Sequence, residues 1–357
     1  MLFRSAPLTI FVRVTIYDIA KKAKVGIGTV SRVFNDHPSV SENTRKRVTQ
    51  VARRLNYHPH PYARGLARNR TNSILAVIPF FTTFFFVEVL RGVQASLGER
   101  DYDLVLYGVN DPEQVSASVK RNALRGRADG VLFFSMRTPK ELLGPNAQRT
   151  PMVLVDAHHR NFDSIYVDNV AGAAAATQHL IKLGHRKIGM LSANLESPPA
   201  RQRLDGFLKA MRENDLEVKP EYVRASTSST LDGFTKETGA ELMKEFLAMG
   251  SAKPTALFVS SDVQAAGALQ ALAHAGMNVP NDMALVGFDD IELASYLQLT
   301  TMRQPMYEMG SLAVEMLFGR MKDPNAVPRE ERFMPELVIR TSCGAARSTQ
   351  SASLKHA

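Results

Sequence analysis

Two groups of residues in this 357-residue chain have types and spacing suited to recognition chemistry. The first is Thr29, Ser31 and Arg32, two small hydroxyls and a guanidinium within four positions. On one face of a helix such a set offers donors and acceptors to base edges and a planar fork to phosphate or guanine. The second group lies further along. Phe80, Phe81, Phe84, Phe85 and Phe86 follow an apolar run at 73–80, and five phenylalanines in seven positions are too many for a solvated loop. They either close the bottom of an interface or offer a flat apolar wall for stacking. Asp262 and Asp289 each follow an apolar run of strand length, where a carboxylate is either a ligand contact or a cap or turn residue. Covalent catalysis is not indicated. There is no Gly-x-Ser-x-Gly, no Gly-x4-Gly-Lys and no Cys/His metal spacing, and His179 and His185 lack a second ligand. No enzyme activity, metal or cofactor is expected.

The elements that position the first group are helical. Apolar residues fall at Ile16, Ile19, Ala20 and Ala23, and again at Val25, Ile27, Val30, Val33 and Phe34. Between them Lys24, Val25 and Gly26 form a short break. Two helices of about eight residues joined in this way make a helix-turn-helix, whose second helix enters the DNA major groove. Ser41 as N-cap and Glu42 in the first turn open a third helix, with Val48, Val51, Ala52 and Leu55 as its buried stripe. Pro61 then starts a short helix to about Arg68 with little apolar surface of its own, expected to fold only against a partner.

Charge is distributed to match. The net charge is +9, and residues 15–72 alone carry 12 Lys/Arg against Asp18, Asp36 and Glu42, leaving the rest of the chain near neutral. Basicity confined to one segment is what phosphate neutralisation by a DNA-reading head requires. Hydrophobic content of 45% is ordinary for a globular protein, and no apolar run is long enough to cross a membrane. A single cysteine, Cys343, excludes an internal disulfide and fits a reducing cytoplasm, in company with the nucleoid. The first fourteen residues read as an arm or an over-long start, and the polar end after Arg340 as a disordered tail.

After Thr71 strand-length apolar runs alternate with helical periodicity. Strands are expected at 73–80, 103–108, 130–134, 152–155, 165–167, 187–191, 222–225, 256–259 and 284–288. Helices are expected at 87–97, 114–124, 171–183, 201–213, 235–248, 263–275 and 307–321. Such alternation means parallel sheets covered on both faces, and about 270 residues is large for one sheet, so two α/β lobes are expected with a ligand cleft between them.

Five linked motifs carry a resemblance. T-x-Y-D-I-A, V-x-x-x-T-V-S-R-V-x-N, V-S-x-x-T-R, L-N-Y-x-P and A-R-x-L-A, nearly unbroken over 15–72, resemble the head of lactose/galactose/purine-repressor family regulators. The V-D-N-x-x-G, H-L-I-x-L-G-H-R-K-I-G, R-L-D-G-F, S-D-x-x-A-x-G and V-G-F-D-D stretches resemble the periplasmic-binding-protein-like effector domain of the same family. The resemblance implies an arm at 1–14, a helix-turn-helix domain at 15–59, a hinge helix and linker at 60–72, a two-lobed domain at 73–340 and a tail at 341–357. The chain would cross between lobes after about Asp168, near Thr300 and near Glu331, so that 73–168 and 301–330 form one lobe and 169–300 and 331–340 the other.

The same resemblance assigns DNA contacts to Thr15, Tyr17, Ile27, Thr29, Val30, Ser31, Arg32, Asn35, Tyr57, Ala63, Arg64 and Leu66. Effector contacts would be Phe85, Phe86, Asp156, Arg203, Phe234, Asp262 and Asp289; Phe234 reads equally well as core, and Asp168 as a structural cap at the lobe crossover. One departure stands out: the family carries Ser or Thr where Gly26 stands and a larger polar residue where Gly28 stands. The implied function is a regulator, most often a repressor, binding a near-palindromic operator as a homodimer under control of a sugar-like effector. The alternatives are a catabolite-type regulator controlled by a phosphoprotein partner, and a ligand-binding receptor without a DNA role.

The resemblance also makes Leu66 an apolar wedge that enters the minor groove at the operator centre beside its symmetry mate. Leu66→Ala is expected to weaken operator binding and reduce DNA bending while leaving effector affinity of the DNA-free protein unchanged. Gel-shift bending assays and calorimetry on one preparation read both quantities.

Overall fold

The computed structural model describes residues 14–57, 71–80, 82–109, 128–135 and 150–345. The hinge positions Pro61, Ala63, Arg64 and Leu66, together with Phe81 and the helix expected at 114–124, lie outside them. At the head, α1 (Ile16–Ala23), α2 (Ile27–Phe34) and α3 (Glu42–Arg54) follow the expected periodicity. The apolar stripes meet in one small core of Ile19, Ala20, Ala23, Val30, Val33, Val48 and Ala52. Lys24, in the left-handed conformation, ends α1 and turns the chain, and the Ser41 hydroxyl accepts the Thr44 N–H to start α3.

The body opens with β1 (Ser73–Ile78), α4 (Phe84–Gly98), β2 (Asp103–Gly108), β3 (Gly130–Phe134), β4 (Met152–Val155) and β5 (Asp163–Val167). It continues through α5 (Asn169–Lys182), β6 (Ile188–Ser192), α6 (Pro198–Glu213), β7 (Val223–Ala225), α7 (Lys236–Ala248) and β8 (Ala256–Val259). The remainder is α8 (Asp262–His274), β9 (Ala284–Asp289), α9 (Glu292–Tyr296), β10 (Thr300–Arg303), α10 (Met306–Lys322), β11 (Glu330–Phe333) and β12 (Glu336–Val338).

These strands make two six-stranded sheets, ordered β11-β5-β4-β3-β1-β2 and β12-β10-β9-β8-β6-β7. All ladders are parallel except β10 with β12. In β1, β3 and β4 every residue is buried, because alternate side chains enter different layers. Ile74, Ala76 and Ile78 pack with Leu132 and Phe134 under α4 and α10, while Leu75 and Val77 face the opposite layer with Val131 and Phe133. The second sheet is sandwiched in the same way.

Several boundaries differ from expectation. β10 pairs with β9 and β11 with β5, so the second and third crossings fall at Gln304–Pro305 and Met334–Pro335, a few residues later than the family pattern suggested. Prolines at both crossings lack the N–H that a continuing ladder would need. Helix α4 begins at Phe84, not at 87, so the phenylalanines form its first turn and not a loop. The chain from Thr341 to Cys343 is no free tail either. The Ser342 hydroxyl donates to the Leu285 carbonyl and accepts the Thr300 N–H, both at 2.8 Å, and Cys343 is buried beside His179.

Helices α4 and α10 approach most closely at two glycines. A Cβ at Gly92 would lie 2.0 Å from the Tyr307 carbonyl oxygen, and one at Gly310 2.0 Å from that of Val89. Backbone cannot yield as a flexible side chain can, so Gly310→Ala should cost about 1–3 kcal/mol in urea unfolding. Gly319→Ala, in the same helix but with nothing within 4 Å, is expected to be neutral or slightly stabilising.

Candidate functional site

In the head, the Asp18 carboxylate accepts both the N–H and the hydroxyl of Thr15, at 2.8 and 2.7 Å, and this bonding holds its pKa below the usual range. The start of α1 is thereby fixed with Tyr17 turned outward, 66% exposed. Arg45 of α3 reaches across to the Val33 and His37 carbonyls and to Asp36, locking the end of α2 against the third helix. This positioning role was not foreseen in the sequence. The outer side of α2 presents Ile27, Gly28 and Arg32 as exposed residues and Thr29, Ser31 and Asn35 as half-buried ones. Nothing stands within 4 Å of a Cβ added at Gly28, so the start of this helix is open.

One of the expected contacts is placed otherwise. Val30 has no exposed surface and packs in the head core, since helical phase turns it inward together with Val33. Tyr57 is half-buried, with its ring 5.8 Å from that of Phe34.

The cleft between the sheets holds about 100 Å³ of free space and opens to solvent. It lies beyond the carboxyl ends of the parallel strands, and several strands leave with a left-handed residue there. Phe80 (φ 50°), Ser135 (φ 43°), Asp156 (φ 54°) and Asp289 (φ 120°) follow or end β1, β3, β4 and β9 in that way. Non-glycine residues in this region are strained, and strain of this kind gathers at binding sites.

One wall is aromatic. Phe80, Phe84, Phe85 and Phe86 all line the space. Phe86 anchors the wall, edge-on to Phe134 at 6.3 Å and to Phe85 at 5.2 Å. Facing it, Arg203 of α6 is 5% exposed and lies 3.9 Å over the Phe288 ring, with Phe234 further off at 5.8 Å. Its Nε donates to Asn169 Oδ1 at 2.9 Å and its Nη1 to the Ser260 carbonyl at 2.5 Å, with Asp289 Oδ1 3.5 Å away. Asp289 also accepts from Gln304 Nε2 at 2.6 Å. Burial lifts its carboxyl to about 6, against the opposing pull of Arg203. Burial likewise raises Asp156, although the Ser135 hydroxyl donates to it at 2.5 Å. The arrangement can grip hydroxyls from one side and stack on a ring from the other.

Asp262 does not line the cleft. Its Oδ2 accepts the Ile291 N–H at 3.1 Å and its Oδ1 the Thr301 hydroxyl at 2.6 Å, in a space that the missing side chain of Gly287 leaves open. Its neighbour Ser261, the N-cap of α8, lines the cleft instead. Ser135, Ser197 and Asp232 also line it and were not anticipated. Asp168 is structural as read: its carboxylate caps α5 through the Ala171 N–H at 2.8 Å.

A helix-turn-helix head and a two-lobed domain with a polar-aromatic cleft define the class of DNA-binding regulators that respond to a small ligand. Residues 15–60 match the model of the lacI family of bacterial regulatory proteins, and residues 177–343 match a periplasmic binding protein-like domain. The chain is 33% identical to Catabolite control protein A of Priestia megaterium over 312 residues, covering 85% of this chain and 91% of that one. It is 34% identical to the Ribose operon repressor of Escherichia coli K12, covering 92% and 99%. The Lac repressor dimer bound to operator and an anti-inducer superposes with a TM-score of 0.77 at 26% identity, covering 93% and 99%. The transcriptional regulator CelR–cellobiose complex gives 0.66 at 27% identity, covering 92% and 100%. The chain belongs to the lacI family and is a DNA-binding transcriptional repressor controlled by a small-molecule effector. Among the described residues no helix is long and apolar enough to cross a membrane.

Because the folded-state pKa of Asp289 lies above the ordinary carboxylate value of 3.8, the folded chain keeps a proton that the unfolded chain releases. This group's stabilisation is full below about pH 4 and is lost as pH rises through about 6. The melting temperature of Asp289→Asn relative to wild type should therefore rise between pH 4 and 7 and level off above. Scanning fluorimetry at fixed ionic strength measures it; a flat difference contradicts the placement of a strained, buried carboxyl there.

Proposed function

We propose that the effector is a neutral, sugar-like ring bound between the lobes, and that the protein grips its operator as a homodimer through α2 and the hinge segment. One observation carries the effector reading: Arg203 and the carboxylates of Asp156 and Asp289 face a wall of phenylalanines across a single cleft. An aromatic wall favours the C–H face of a ring, and the polar side favours vicinal hydroxyls. Charge argues for neutrality. Arg203 is already engaged by Asn169, Ser260 and Asp289, and Asp232 adds a further carboxylate to the lining, so an anionic ligand would find no uncommitted cation among the lining residues described. The names of the Ribose operon repressor and of the CelR–cellobiose complex point the same way. Likeness to Catabolite control protein A supports a protein co-regulator, but no feature of the cleft calls for one.

On the DNA side, Tyr17, Ile27, Thr29, Ser31 and Arg32 are the exposed or half-exposed groups that can reach bases and phosphates. A single short recognition helix reads too few base pairs for specificity, and this supports a two-fold assembly like the Lac repressor dimer. Pairing with DNA supports a cytoplasmic location.

The test is calorimetry and thermal shift with neutral sugars, their phosphates and purines on the full chain. A neutral sugar should bind and raise the melting temperature in a concentration-dependent way. Arg203→Ala should weaken that binding about 100-fold or more and leave effector-free operator affinity within about threefold. Binding of sugar phosphates alone would overturn the neutral-ligand reading.

A further inference from the structure

The space between the lobes does not end at Asp156. On the other side of the Ser135–Asp156 pair lies a second cavity of about 360 Å³ that shares Ser135, Asp156 and Pro199 with the aromatic cleft. We propose that this cavity is a subsite for a second ring, so that the effector is a neutral disaccharide or glycoside lying across Asp156. The proposal rests on the sugar reading above and extends it.

Four observations support it. The cavity opens at the carboxyl ends of β4 and β5, opposite the starts of α5 and α6, the part of an α/β fold where ligands collect. Its lining differs in kind from the first: no phenylalanine, but His158, Tyr166, Asn169 and Gln202. The two spaces also share a polar network. Arg203 Nε donates to Asn169 Oδ1, and Asn169 Nδ2 donates to Gln202 Oε1 at 3.0 Å. With its oxygen taken, the Gln202 amide offers its N–H2 as a donor, so the group that grips the first ring is rigidly linked to one that meets a second. Finally, His158 and Tyr166 form a braced platform. Their rings lie 5.1 Å apart, and Glu330 holds both, the His158 Nε2 at 3.3 Å and the Tyr166 hydroxyl through a short bond. Burial and the Glu330 hydrogen bond push the Tyr166 phenol up to about 12, so it stays neutral.

Charge again excludes an anion. Asp156 and Glu330 flank the cavity, and the nearby Arg332 is paired with Asp168 at 3.5 Å. Asp156 stands at the junction with Oδ2 occupied by Ser135, which directs Oδ1 to accept a hydroxyl beside the inter-ring bond.

Calorimetry of the full chain with D-glucose, D-ribose, cellobiose, maltose and glucose 6-phosphate tests this. Wild type should bind a disaccharide at least about tenfold more tightly than its component monosaccharide. His158→Ala should weaken the disaccharide about five- to fiftyfold and leave monosaccharide affinity unchanged, a split that general loosening of the fold would not produce. A monosaccharide bound as tightly as every disaccharide overturns the subsite and leaves the single-ring reading standing. So does equal weakening of both ligands, or no weakening of either. Preference for glucose 6-phosphate would make the cavity an anion site and sink the proposal. Binding of none of the sugars sinks both readings together.

Discussion

Arg203 and Asp289 sit almost wholly out of water yet are only loosely paired, and much of the body is arranged around that fact. Removing a guanidinium and a carboxylate from water costs several kcal/mol each before any pairing. At 3.5 Å their own attraction does not settle the account, and the shifted carboxyl of Asp289 shows it. The protein answers with fixed dipoles: Asn169 at the start of α5, the Ser260 carbonyl after β8, Gln304 after β10 and the ring of Phe288 below. Those groups come from four different segments. The arginine therefore senses how the segments are placed, and a ligand that supplies new acceptors competes with partners that hold the second lobe in shape.

The head works on a different principle. Its core is only a handful of apolar side chains, supplemented by polar locks at helix ends: Thr15 with Asp18, Ser41 with Thr44, Arg45 with Asp36. Such locks leave the outer face of α2 free of structural duties. Gly26 and Gly28 make that face smaller still, so base recognition is concentrated on fewer side chains toward the middle of the helix.

Much of this was legible in the sequence because the signals are local. Fully apolar runs such as 130–134, 152–155 and 256–259 end where their strands end. β10, β11 and β12 were missed because TTMR, EERF and ELV carry no apolar run; pairing partners make them strands. The cleft was legible in its residue types and less so in its geometry. Asp262 and Ser261 differ by one position at a helix start, and only the packing of Gly287 and Thr301 decides which one faces the ligand. Val30 is a different case. Apolar periodicity turns it inward with Val33, against the DNA contact that the motif resemblance implies.

The three crossings between the lobes form a flexure, in the engineer's sense of a joint made from continuous material. Three roughly side-by-side strips bend together about one axis and resist sliding and twisting. Two of the strips contain proline, whose ring fixes φ, at Pro305 and Pro335. The first, at Asp168–Asn169, has none, and there the Asn169 side chain is bonded to both Arg203 and Gln202. The strip without proline is thus the one wired directly to the ligand-gripping arginine, so that whatever occupies the cleft bears on the stiffness of the joint as well as its angle.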